Sequence, residues 1–222
     1  MEEKDAREAE AIVQRAMRHL AETIATTGEQ GANARSAIGL VNANAYIWLR
    51  ADQLGPPLQN AFDLCLQAGA TQPAIDQVRV WTDIEQPITL GGVLMQNSII
   101  QFCLALESEI IAGTKFISRQ DVDALLKAIR TPFSNAVEIA ADEMDQATYM
   151  ALVELQASLT NHLVVTAIPL PQLVGYQFTD VLPSLVIAYR LYADAGRADQ
   201  IRAENKIIHP AFCPPSGLAL SM

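Results

Sequence analysis

His19, His162 and His209 are the chain's histidines, and none has a second histidine or cysteine at the close spacing a bound metal needs. Cys213 follows His209 by four residues with Pro210 between, so a metal site there competes with a plainer reading in which His209 fixes a turn. Glu107 with Glu109 and Asp121 with Asp123 sit two apart, which on a helix turns each pair to different faces. Such carboxylates make poor general acid–base partners and read as solvated charge. Gly91-Gly92 lacks the lysine of a phosphate loop, and no Gly-x-Ser-x-Gly elbow is present. We expect no metal, no cofactor and no catalytic activity.

Recognition chemistry is more evident. Tyr189 and Tyr192 lie close to Arg190, Arg197 and Arg202, with His209 a little beyond. They read either as core tyrosines flanked by surface arginines or as interface anchors, because Tyr and Arg are enriched at binding hot spots. Residues 180–222 hold Arg190, Arg197, Arg202 and Lys206 against Asp180, Asp194, Asp199 and Glu204, so this segment is neutral. The rest of the chain carries the whole formal charge of −10. A local difference of that kind suits docking on another protein better than wrapping DNA.

The elements that position these residues can be read from residue 179 onward. Thr179 or Asp180 is placed to cap a helix, and Leu182, Leu185, Val186, Tyr189 and Tyr192 form one apolar stripe along it. On that reading Leu185 and Tyr189 are core side chains. Asp194 can cap a second, shorter helix that turns Ala198 and Ile201 inward. His209-Pro210 ends helical geometry, Pro214-Pro215-Ser216-Gly217 predicts a turn, and Leu218-Ala219-Leu220 a short strand.

The run LPSLVIAYRLYADAGRADQIRAENKIIHPAF resembles the C-terminal end of the Mu-like phage DNA-circulation (DNA circularization) proteins. That family pattern has a leucine-proline start, a tyrosine-rich helix, an Asp-Ala turn, an Asn-x-Ile-x-His-Pro run and a terminal hydrophobic strand. The same region is similar to the helical half of LysM-like modules of contractile-tail proteins. Upstream, SRQDVDALLKAIRTPFSNAVEIAAD and TYMALVELQASLTNHL are similar to the family's helical middle, so the likeness spans residues 92–222. It implies a structural component of a contractile-tail baseplate or hub, made in the bacterial cytoplasm and carried in the virion. Its partners would be other tail proteins, in several copies or a homo-oligomeric ring. Taken literally, the family name implies a protein that holds the ends of the phage genome, and the LysM-like likeness implies glycan binding. Family members are longer, with a further N-terminal domain that residues 1–86 do not match, which points to a split gene or a shortened relative.

Composition bounds these expectations. At 222 residues, half of them hydrophobic and few aromatic, the chain can bury a sizeable core and favours an all-α fold. A charge of −10 argues against a nucleic-acid surface, since phosphate binding runs on excess Lys and Arg. Three widely separated cysteines do not make a disulfide framework, and the charged start from Glu2 reads as no signal peptide. The most apolar window, residues 99–106, is too short and too polar to span a bilayer.

Periodicity predicts helices over 4–24, 36–53, 58–68, 72–84, 93–112, 118–143 and 146–167, with Pro132 kinking or breaking the sixth near Arg130. The first helix reads as a surface helix with one buried stripe, or as one that packs on a partner. Residues 169–178 read as a connector. The expected architecture is a helical region over 1–91, a helical bundle over 92–178 with its boundary at Gly92, and a LysM-like helix-turn-helix module with a short strand over 179–222.

Overall fold

The computed structural model describes residues 2–221. The fold is mainly α: α1 (Glu3–Glu22), α2 (Glu29–Arg50), α3 (Gly55–Gln67), α4 (Gln72–Asp83), α5 (Leu90–Ala112), α6 (Arg119–Asp142) and α7 (Gln146–Ala167) precede β1 (Leu173–Gln177), α8 (Ser184–Tyr192), α9 (Ala198–Glu204) and β2 (Ser216–Leu220). It is a helical bundle with one small strand pair. The chain forms two compact units, one of Met1–Thr114 with Ile129–Leu159, the other of Lys115–Ala128 with Thr160–Met222.

In the first unit α1 packs against α2, α4 and α5, and α5 also contacts α3. Ala6, Ala9, Ile12, Val13, Ala16, Met17 and Leu20 recur at helical spacing along α1 and are all buried. This helix is amphipathic with a single buried stripe. By length and composition α5 could cross a bilayer. Here it lies inside the bundle and buries Gln96, Asn97 and Glu107 among its apolar residues.

The approach of α1 to α5 depends on two glycines. A β-carbon on Gly91 would lie 2.7 Å from the Asp5 β-carbon, and one on Gly92 would lie 2.5 Å from a Glu8 carboxylate oxygen. That closeness lets Glu8 accept from the Ile88 and Thr89 backbone N–H groups at 2.9 and 2.6 Å, while the Thr89 hydroxyl accepts from Gly92 N–H at 3.1 Å. Glu8 thus caps α5 from a neighbouring helix and satisfies donors a helix start leaves open. The Thr89 hydroxyl and these backbone donors hold its carboxyl below the ordinary carboxylate range. Gly91→Ala should therefore force α1 and α5 apart and destabilise the fold by about 1–3 kcal/mol, read from urea unfolding.

Several expectations are corrected. Gly92 is no boundary: it lies in the first turn of α5, well inside the first unit. The division falls within α6 and α7, at Ala128/Ile129 and Leu159/Thr160. α2 begins seven residues earlier than expected, at Glu29 rather than Ser36. Pro132 does not break α6, which runs unbroken from Arg119 to Asp142. The carbonyl that loses its intrahelical donor there belongs to Ala128, which is exposed to water.

The second unit is built on a strand pair. β1 and β2 run antiparallel, with Leu173 opposite Leu220 and Gln177 opposite Ser216. β1 lies inside the segment expected to be a connector; its partner is some forty residues away, and Pro169, Pro171 and Gly175 obscure it locally. Tyr176, Ile187, Ala188, Ala198, Ile201, Cys213 and Ala219 form this unit's core. Ser118 and Asp121 make the expected reciprocal cap on α6: each side-chain oxygen accepts from the other residue's N–H, at 3.0 and 3.2 Å. Gly217 is required by packing, because a β-carbon there would lie 2.3 Å from the Asn205 side-chain oxygen and 2.7 Å from the Tyr176 hydroxyl.

Candidate protein interface

α8 starts later than expected, and the reason is local. Pro183 pushes Leu182 into extended backbone, where it pairs with Cys213 as an isolated bridge. Thr179 and Asp180 therefore cap nothing. Pro183 stands at the N-cap position, and the Ser184 N–H donates to the Pro210 carbonyl at 2.7 Å. The helix ends where Ala193 adopts a left-handed conformation. Asp194 then caps the 3-10 turn Ala195–Arg197 by accepting from Gly196 N–H at 2.8 Å, as expected from its position.

α8 is apolar on both sides, and the stripe picked out by periodicity is largely the outer one. Ile187 and Ala188 are buried, with Leu191 and Tyr192 packed beside them. Leu185 is 58% exposed and Tyr189 64%, with Val181 and Val186 also open. The expectation that Leu185 and Tyr189 are core side chains is thus corrected. Two residues of the following loop, Ile208 and Phe212, are likewise exposed. The loop is tied to the start of α8 through the Leu182–Cys213 bridge and the Pro210 carbonyl.

The six candidate residues divide into two groups. Tyr189, Arg190 and His209 are exposed; the His209 ring packs tilted against Phe212 with centroids 5.1 Å apart, and Arg190 lies 5.7 Å above the Phe178 ring. Tyr192, Arg197 and Arg202 are engaged within the module. The Arg197 guanidinium sits 3.7 Å over the Tyr192 ring and donates to Gln200, and Arg202 pairs with Asp199 at 2.9 Å. These three brace the α8–α9 turn more than they offer a surface. Cys213 is buried and donates to the Pro210 carbonyl, so it is not paired with the exposed His209. Among the described residues no cluster of three His, Cys, Asp or Glu could hold a metal.

Periodicity missed a buried ion pair of the first unit. Glu107, read as solvated, is buried on α5; Arg79 of α4 donates to it at 3.1 Å and also pairs with Asp76. Gln72 donates to the second Glu107 oxygen at 3.4 Å. Its neighbour Glu109 is exposed, as their spacing requires. Asp76 and Arg79 are three positions apart, about one helical turn, and that spacing was the available signal. Arg79 and Gln72 donate here to protein carboxylates, so the cluster is a bundle cross-link. No protein-family model and no curated protein matches the chain.

Proposed function

We propose that this protein is a non-catalytic structural component of a phage contractile tail, at the baseplate or hub, that works by presenting helical surfaces to neighbouring tail proteins in a repeated assembly. The resemblance of the last forty residues to the Mu-like DNA-circulation proteins supplies the phage context. The observation that carries the reading is the outer face of α8, where Val181, Leu185, Val186 and Tyr189 remain open beside Phe212 and Arg190. Clustered apolar exposure of this kind marks interaction surfaces. A tyrosine and an arginine within it are the usual anchors. The first unit has a comparable stretch at the α4–α5 junction, with Ile84, Ile88 and Leu90 exposed, which suits a component gripped by more than one neighbour.

Leu185→Ala with Tyr189→Ala should cost less than about 1 kcal/mol of stability, since both side chains already face water. The same pair should sharply reduce incorporation into tail particles, read by quantitative blotting of purified virions. Arg190→Glu should act in the same direction. Normal incorporation of a folded variant would refute the interface. A gel-shift series in which specific DNA binding fell steeply with salt would replace this role with one at the genome ends.

A further inference from the structure

The strand pair has two edges, and they are finished differently. On β2, the Asn205 side-chain amide bonds both backbone groups of Leu218, accepting from its N–H and donating to its carbonyl at 2.7 Å each. On β1, the Gln120 amide does the same at Leu173, accepting at 2.8 Å and donating at 3.2 Å. Each side chain stands in for one residue of a missing strand. Because Leu218 is bonded outward, its partner Gly175 faces outward too. By the same alternation Gln177 faces outward, since Phe178 beside it donates inward to the Pro215 carbonyl. The N–H and C=O groups of Gly175 and Gln177 have no partner among the described residues, and Val174, Gly175 and Gln177 are exposed.

We infer that the β1 edge is a pairing site for β1 of a second copy of this chain, guarded by Gln120. The outward residues Leu173, Gly175 and Gln177 are centred on Gly175, so a two-fold axis there sets the two glycines opposite each other. Gln177 of each copy then faces Leu173 of the other. A side chain fits at 175, where a β-carbon would meet only the Gly217 carbonyl, at 4.0 Å. Charge favours a copy at this edge as well. Residues 155–179 carry no Asp, Glu, Lys or Arg in a chain of net charge −10, so β1 itself sets no like charges against a second copy. β1 also lacks the lysine or proline that commonly blocks an edge, and Gln120 is its one visible block. With Gln120 in place only the central Gly175 pair can form. When it swings out, the Leu173–Gln177 pairs follow. This pairing uses backbone groups of β1, not the side chains of α8.

Sedimentation equilibrium of the full chain tests the inference. Gln120→Ala should tighten self-association by about tenfold or more, because it frees Leu173 in both copies. Adding Gly175→Pro, which removes the central donor, should abolish it, while Leu40→Asp, at an exposed site on α2, should leave it unchanged. Should the proline variant fail to fold, Gly175→Cys decides: mild oxidation should give a disulfide-linked dimer, since facing residues in such a pair lie within disulfide reach. The native thiols are buried, and Leu40→Cys is the control. A Gln120→Ala protein that associates no more tightly than the parent, one that dimerises despite a folded Gly175→Pro, or an unlinked Gly175→Cys protein would each overturn the pairing.

Discussion

Glu107→Ala should destabilise the protein by about 3–5 kcal/mol, because it leaves the Arg79 guanidinium inside the bundle without its buried partner. The Glu107 side chain is 3% exposed and that of Arg79 11%, so water cannot replace the lost carboxylate. Asp76 remains, but at 42% exposure it is the weaker, more screened partner. The double change Arg79→Leu with Glu107→Leu should recover most of the loss, since an apolar pair of similar volume avoids desolvating both ions. Urea unfolding of the two variants separates breaking a buried pair from removing it.

A pH dependence accompanies this. Burial holds the Glu107 carboxyl above the ordinary carboxylate range, against the opposing pull of Arg79. The folded state therefore binds this proton more tightly than the unfolded chain. The stability it contributes is complete below the ordinary carboxylate range and fades as pH rises through the folded value. Glu107→Gln should remove that decline. Glu8 runs the other way: with its carboxyl lowered, its contribution is present above the ordinary range and is lost on acidification.

What could be read in the residues follows from the range of each interaction. The long helices were legible because apolar spacing along one helix is a local signal, and α7 was placed residue for residue. The caps at Asp194 and Ser118–Asp121 were legible for the same reason, each spanning three residues or fewer. β1 was missed because half of it is its partner, far along the chain, and its bonds at Leu173 come from a glutamine on another helix. Gly91-Gly92 was read as a break when its meaning is an approach: what demands glycine is Asp5 and Glu8, some eighty residues earlier. For the candidate interface, residue types were visible but direction was not. Periodicity finds a stripe on α8 and cannot say which stripe of an all-round apolar helix turns inward.

α8 itself allows that question to be put to experiment. Ile187→Ala should cost about 2–5 kcal/mol, the range for emptying a buried isoleucine site. The cluster around Ile187 has few side chains, and Ile187 and Ile201 are its fully buried isoleucines, so little apolar material is available to collapse into the space. Leu185, two residues away and of the same volume, should tolerate alanine with little loss. Thermal unfolding of the two variants side by side compares equal deletions on one helix, which cancels any difference in helix propensity beyond a few tenths of a kcal/mol. A large loss at Ile187 with almost none at Leu185 would fix the inward face of α8 as Ile187–Ala188 and leave Leu185 and Tyr189 free for a partner. Equal losses would mean that Leu185 is covered in the folded protein, and the surface proposed for tail contacts would then be internal.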